Sequence, residues 1–200
     1  MSPRPAGRAY RKIARARQEE ETRRRITEAA VELHRTLGPA NTRMTDVARR
    51  AGVSRMTVYN HFPREIDLLL ACSAHWAARN PFPDPTRWDG IPDPAERLVT
   101  ALKELYLWYQ RNQQMLDNVF RDASNLPAVA RILDDLWSPY MATLVRSLGR
   151  GWAARGAEAA ERRAALRLVA DFAAWQLLAA TGLNPVRAAG LAARMVAGVS

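Results

Sequence analysis

Thr45-Asp46-Val47-Ala48-Arg49-Arg50-Ala51-Gly52-Val53-Ser54-Arg55-Met56-Thr57-Val58-Tyr59-Asn60-His61-Phe62 reads as two short helices joined by a tight turn. Thr45 and Ser54 are N-cap residue types, standing ahead of one helix over 46–51 and another that starts at Arg55. Gly52 lies between them, where a tight turn needs a residue comfortable at positive φ. Ala48 and Ala51 are small enough for two helices to approach closely. Val47, Val53, Val58 and Phe62 form the predicted buried wedge. What remains for the outer face of the second helix is Arg55, Met56, Thr57, Tyr59, Asn60 and His61. Hydrogen-bonding side chains near the start of such a helix suit the DNA major groove, whose base edges carry a donor and acceptor code. The stretch thus reads as a helix-turn-helix suited to double-stranded DNA.

Outward on the N-terminal side, a helical period begins near Glu20. Ile26, Ala29, Ala30, Leu33 and Leu37 share one apolar face, and Gly38-Pro39 stops the helix. Residues 1–17 carry Arg4, Arg8, Arg11, Lys12, Arg15 and Arg17 without an acid. Pro3, Pro5 and Gly7 argue against early helix, so residues 1–21 are expected to form a flexible basic arm, which could meet DNA or merely be solvated. The formal net charge is +10. Residues 1–64 hold 15 basic and 6 acidic side chains, against 15 and 14 in the remainder, so nearly all the excess lies beside the helix-turn-helix. This places a polyanion-facing module before a near-neutral one.

On the C-terminal side, a helix over about 64–79 connects residues 22–64 to the rest, with Ile66, Leu69, Leu70, Ser73, Ala74 and Ala77 on its predicted apolar face. Five prolines between residues 80 and 94 mark a linker and domain boundary. Beyond it the patterns are helical, over about 95–111, 113–123, 128–155, 158–182 and 185–198. The fold class is all-α: an N-terminal three-helix helix-turn-helix domain and a helical domain within 65–200. All six tryptophans lie between Trp76 and Trp175.

The sequence TDVARRAGVSRMTVYNHF, with its amphipathic preceding helix and Leu-rich following one, closely resembles the DNA-binding domain of TetR-family transcriptional regulators over about Arg23–Leu70. The resemblance implies phosphate contacts from Thr45, Tyr59 and His61, with Arg55, Met56, Thr57 and Asn60 facing base edges. Two positions depart from the family pattern. Glu65 stands where many members carry lysine, leaving Arg64 as the substitute phosphate ligand. Residues Gly38-Pro39-Ala40-Asn41-Thr42-Arg43-Met44 replace the usual Gly-Tyr-x-x-(Thr)-Thr segment.

The resemblance further implies a small-molecule effector in the C-terminal half. Trp108, Met115, Phe120, Trp137, Met141, Trp175 and Gln176 form the expected lining, an aromatic wall with a polar group. It also implies a homodimer through the last two helices. Leu166, Val169, Ala170, Ala173, Leu177, Ala180, Leu191 and Met195 form the expected interface, with burial inside one subunit as the competing explanation. The expected protein is a cytoplasmic bacterial regulator, a repressor released from a palindromic operator by an apolar or aromatic effector. An effector-independent DNA-binding protein, or an all-helical small-molecule carrier, are the competing classes.

No catalytic site, cofactor or metal is expected. Cys72 and His75 share a helix face but lack a second pair of ligands, and no nucleophile elbow, P-loop or dinucleotide fingerprint occurs. Cys72 is the sole cysteine, which excludes an intramolecular disulfide and fits a reducing compartment. The apolar run 172–186 is too short to span a bilayer and contains Gln176, Asn184 and Pro185, so no membrane association is expected.

Overall fold

The structure is a computed structural model describing residues 6–153 and 155–199. These form nine α-helices and two short 3-10 turns: α1 Ala6–Thr36, a turn at Pro39–Asn41, α2 Met44–Ala51, α3 Arg55–His61, α4 Glu65–Arg79, a turn at Pro85–Trp88, α5 Pro94–Ala123, α6 Pro127–Leu148, α7 Gly156–Val169, α8 Phe172–Ala180 and α9 Pro185–Ala197. None of these helices is long and apolar enough to cross a membrane.

The chain divides into two compact units. The first comprises the residues up to Arg79 together with Asp117–Val129. Its core is Ile26, Ala29 and Ala30 of α1, Met44, Val47 and Ala48 of α2, Val58 and Phe62, and Leu68 and Cys72 of α4. The α4 face therefore runs through Leu68 and Cys72, whereas Leu70, expected inside, is half exposed. The last turns of α5 belong to this unit and close the end of α1. Asn118 donates to the carbonyls of His34 (3.2 Å) and Arg35 (2.7 Å), and Arg121 donates to that of Leu37 (3.2 Å). Asp122 accepts from the Ala40 N–H at 2.9 Å. The Asn118 and Arg121 side chains thus supply donors to carbonyls of the last turn of α1 and just beyond it, while Asp122 takes up a backbone N–H of the following turn. Gly38 turns the chain beneath them at φ 92°, and a Cβ there would collide with the Arg121 and Asp122 side chains.

The second unit comprises residues 80–116 and 130–200. Its buried apolar residues include Leu98, Leu102, Leu105 and Tyr109 of α5, Met141, Leu144 and Leu148 of α6, and Ala188, Ala192 and Val196 of α9. The proline-rich segment, expected as a linker, is fastened to this unit. Trp88 is 1% exposed. Tyr140 donates to the Pro83 carbonyl at 3.1 Å, Ser147 to that of Pro85 at 3.2 Å, and Arg97 to that of Ile91 at 2.9 Å. Prolines lack N–H groups but keep their carbonyls, so such a segment docks by accepting hydrogen bonds.

Several element boundaries differ from the sequence expectation, and α6, expected over 128–155, ends at Leu148. α1 begins at Ala6, so the basic segment is helical from there instead of flexible, while Pro3, Arg4 and Pro5 lie outside the described residues. α5 is continuous where a break near residue 112 was expected, because Asn112 folds its amide back onto the Trp108 carbonyl (2.9 Å) without disturbing the helix. The expected helix over 158–182 is two helices, divided at Ala170-Asp171, where the Asp171 carboxylate caps α8 by accepting from the Ala173 N–H.

Candidate nucleic-acid interface

The turn between α2 and α3 has the geometry its residues predict. Gly52 sits in the left-handed region at φ 66°, ψ 39°. Its N–H donates to the Arg49 carbonyl and the Val53 N–H to that of Ala48, the paired bonds of a Schellman motif. Ser54 then caps α3, accepting from the Thr57 N–H at 3.0 Å. Thr45 departs from its expected role: α2 starts at Met44 with Arg43 at the cap position, and Thr45 is exposed in the first turn. That places its hydroxyl at a helix N-terminus, among N–H groups that favour an anion.

α3 is held from one side. Val58 and the following Phe62 are both 0% exposed. Arg23 of α1 donates to the His61 carbonyl at 2.7 Å and lies over the Phe62 ring at 4.1 Å, fastening the helix end. The opposite side is open, with Arg55, Met56 and Asn60 exposed and Thr57, Tyr59 and His61 partly so. Arg55 rests over the Tyr59 ring at 5.3 Å. Thr57 shares a 2.8 Å hydroxyl contact with Ser54, so part of its bonding capacity is already used locally. Arg64, the substitute phosphate ligand, is engaged by Asp67 at 2.5 Å, and its guanidinium holds the Asp67 carboxyl below its ordinary range. Glu65 is exposed beside it in the first turn of α4, where a carboxylate suits the helix N-terminus.

Behind this surface, His34 and Cys72 form a buried pair, with Cys72 Sγ 3.2 Å from His34 Nδ1. The thiol thus pairs with His34, while His75 lies 3.9 Å from Glu28. Burial holds the His34 imidazole down at about 4, with the Asp122 carboxylate pulling the other way, and it pushes the Cys72 thiol up to about 12. Both groups are neutral near pH 7. Among the described residues no cluster of three or more His, Cys, Asp or Glu is placed to hold a metal.

In the second unit, Trp108, Met115, Trp137, Met141 and Trp175 of the expected effector set are buried and Gln176 is partly exposed. Trp108 and Trp137 lie 6.3 Å apart, and Tyr109 lies 6.0 Å from Trp137 and 5.7 Å from Trp175. Phe120 falls in the first unit. The expected lining set leaves out further members of the cluster, Phe82, Tyr109, Tyr140 and Phe172 among them. Tyr109 occupies its centre, and Phe82 stacks on Tyr140 at 4.6 Å while meeting Trp108 at 5.1 Å. Phe82 carried no periodic signal because it lies in the proline-rich segment. Met141 also lines an open groove of 660 Å³, together with Val145 and Arg146 of α6 and Arg163 and Ala164 of α7.

The expected dimer residues fall into two groups. Leu166, Val169 and Ala170 are buried within their own subunit, which removes them from any surface. Ala173, Leu177, Ala180 and Met195 are exposed, with Leu177 at 73%, and Leu191 is partly so.

Three comparisons bear on this arrangement. The sequence profile of bacterial regulatory proteins of the tetR family matches residues 26–72. The HTH-type transcriptional regulator SrpR of Pseudomonas putida is 41% identical over 59 residues, covering 30% of this chain and 28% of that one. Among solved structures, the TetR-family transcriptional regulator PfmR of Thermus thermophilus superposes with TM-score 0.58 at 20% identity, over 87% of this chain and 96% of that one. A transcriptional regulator of Saccharomonospora viridis, in complex with choline, superposes with TM-score 0.57 at 23% identity, over 89% and 94%. The family profile matches the segment that holds the helix-turn-helix, and the likeness of fold to these two structures extends over 87–89% of the chain. Residues 26–72 thus resemble the tetR family of bacterial regulatory proteins, and the fold of the chain resembles that of TetR-family regulators.

Proposed function

We propose that this protein is a transcriptional repressor that binds a palindromic operator as a homodimer and is released by a small apolar or aromatic effector. The observation that carries the DNA-binding part is the asymmetry of α3. Val58 and Phe62 anchor one side at 0% exposure, and Arg55, Met56 and Asn60 stand out on the other. A helix fixed in this way can enter the major groove without losing its own support. Arg55 and Asn60 have the side-chain chemistry to read guanine and adenine edges; Thr45, Tyr59 and His61 are suited to phosphates, which set register.

The aromatic cluster of the second unit supports the effector. Its faces suit flat apolar molecules, and equally an alkylammonium through cation–π attraction, the chemistry of the choline held by one structural relative. In this reading the effector favours a conformer whose paired recognition helices no longer match the half-site spacing. The test is binding-site selection with the full chain, followed by a compound screen read by tryptophan fluorescence and by release of the selected duplex. Sequence-selective binding, with release by a compound that quenches the tryptophans, is expected. Failure to enrich any sequence overturns the DNA reading; enrichment without any releasing compound favours an effector-independent regulator.

A further inference from the structure

α1 is longer than the helix-turn-helix requires. Its packed part starts near Arg23, where the guanidinium meets His61 and Phe62 at the end of α3. The 17 residues from Ala6 to Thr22 continue the same helix, over about 25 Å at 1.5 Å per residue. From Tyr10 to Glu21 every residue is exposed.

The cations of this extension are arranged by face. Arg11, Lys12 and Arg15 each stand 18 positions before a residue turned toward the core: Ala29, Ala30 and Leu33. In sequence, Arg8 stands in the same relation to Ile26. Eighteen residues are about five full turns at 3.6 residues per turn, so positions so separated share one side of a helix. The side of α1 that packs against α2, α3 and α4 thus continues beyond them as a basic stripe. Tyr10, Ile13 and Arg17, spaced i, i+3, i+7, occupy a different face. Arg15 pairs with Glu19 at 2.9 Å, with side chains 83% and 57% exposed, a contact that a phosphate readily displaces.

The geometry points to a second DNA contact: the stripe Arg11-Lys12-Arg15 lies along the phosphate backbone flanking the half-site. The occupant follows from charge and from continuity. The stripe leaves the packed domain at the His61 end of α3, and His61 is itself a proposed phosphate ligand. A length of about 25 Å covers most of a DNA helical turn of about 34 Å. The contact rests on the DNA-binding reading above and extends its footprint.

The test measures affinity of the full chain for a long random-sequence duplex across a salt series. Three proteins are compared: wild type, R11Q/R15Q, and the charge-matched swap Y10R/R11Q/I13R/R15Q, with helix content checked by circular dichroism. Loss of two phosphate contacts lowers the slope of log K against log salt by about 1.8, so between about 50 and 200 mM salt wild-type binding weakens roughly tenfold more than that of R11Q/R15Q. The swap should behave like R11Q/R15Q. An unchanged slope in R11Q/R15Q overturns the contact, and a swap that restores wild-type binding overturns the dependence on face. If wild type itself fails to bind duplex DNA at low salt, the DNA reading falls and this contact with it.

Discussion

His34 ties the stability of the first unit to pH. Its imidazole is 8% exposed and held at about 4 by burial, against an ordinary value of 6.5. As pH falls below 6.5 the unfolded chain takes up a proton that the folded one refuses, so stability present at neutral pH is lost progressively down to pH 4. The full span amounts to about 3 kcal/mol. Urea titrations at pH 7.5 and 4.5 should show H34N losing less stability than wild type on acidification; parallel losses would show that His34 is not the group responsible. On the outer face of α3, single residues should separate into two behaviours. N60A or R55A is expected to flatten sequence preference by about 1–3 kcal/mol at one base position. H61A should weaken all duplexes alike, because phosphates carry no sequence. A selection experiment on each variant distinguishes the two, and uniform loss in N60A would remove it from base readout.

At the scale of elements, the division between α7 and α8 is built from two tyrosines. Tyr106 donates to the Val169 carbonyl and Tyr109 to that of Ala170, both at 2.6 Å and both from buried hydroxyls. Those hydroxyls satisfy carbonyls released where the helix breaks, and burial raises both phenols above their ordinary range. Y106F and Y109F should each cost about 1–3 kcal/mol by leaving a buried carbonyl without a donor, as shifts in urea midpoint. A change below the error of the midpoint in both would mean that water or rearrangement replaces the hydroxyls. This break was half legible in the sequence. Asp171 is a good N-cap, but it stands between Val169-Ala170 and Phe172-Ala173-Ala174, an apolar run that reads as uninterrupted helix; the tyrosines that stabilise the break lie 61 or more positions away. The helix-turn-helix was legible because Gly52, Ser54 and the valines act on neighbours in the chain. The helical start at Ala6 was not, because Gly7 lowers helix propensity without forbidding helix, and a proline just ahead of a helix is compatible with one.

At the scale of the molecule, the proposed dimer must be formed by surface that the subunit leaves open. The buried Leu166, Val169 and Ala170 already serve the subunit core, whereas Ala173, Leu177 and Ala180 recur at helical spacing on exposed faces of α8, with Met195 exposed on α9. An apolar strip of this kind is self-complementary about a twofold axis, and small residues let two helices approach closely. The two groups therefore predict different failures. L166A should create a cavity and lower the unfolding free energy by about 2–5 kcal/mol. L177R places a charge on a side chain that is 73% exposed in the single subunit. The subunit should keep its helix content and thermal transition while sedimenting as a monomer. Such a monomer retains one complete α3 yet reads one half-site. Its affinity for a full operator should fall toward that for an isolated half-site, because two sites about one helical turn apart no longer reinforce each other. A dimeric L177R in sedimentation would move the interface elsewhere, and a monomer with undiminished operator affinity would show that paired reading is not how this protein gains its grip.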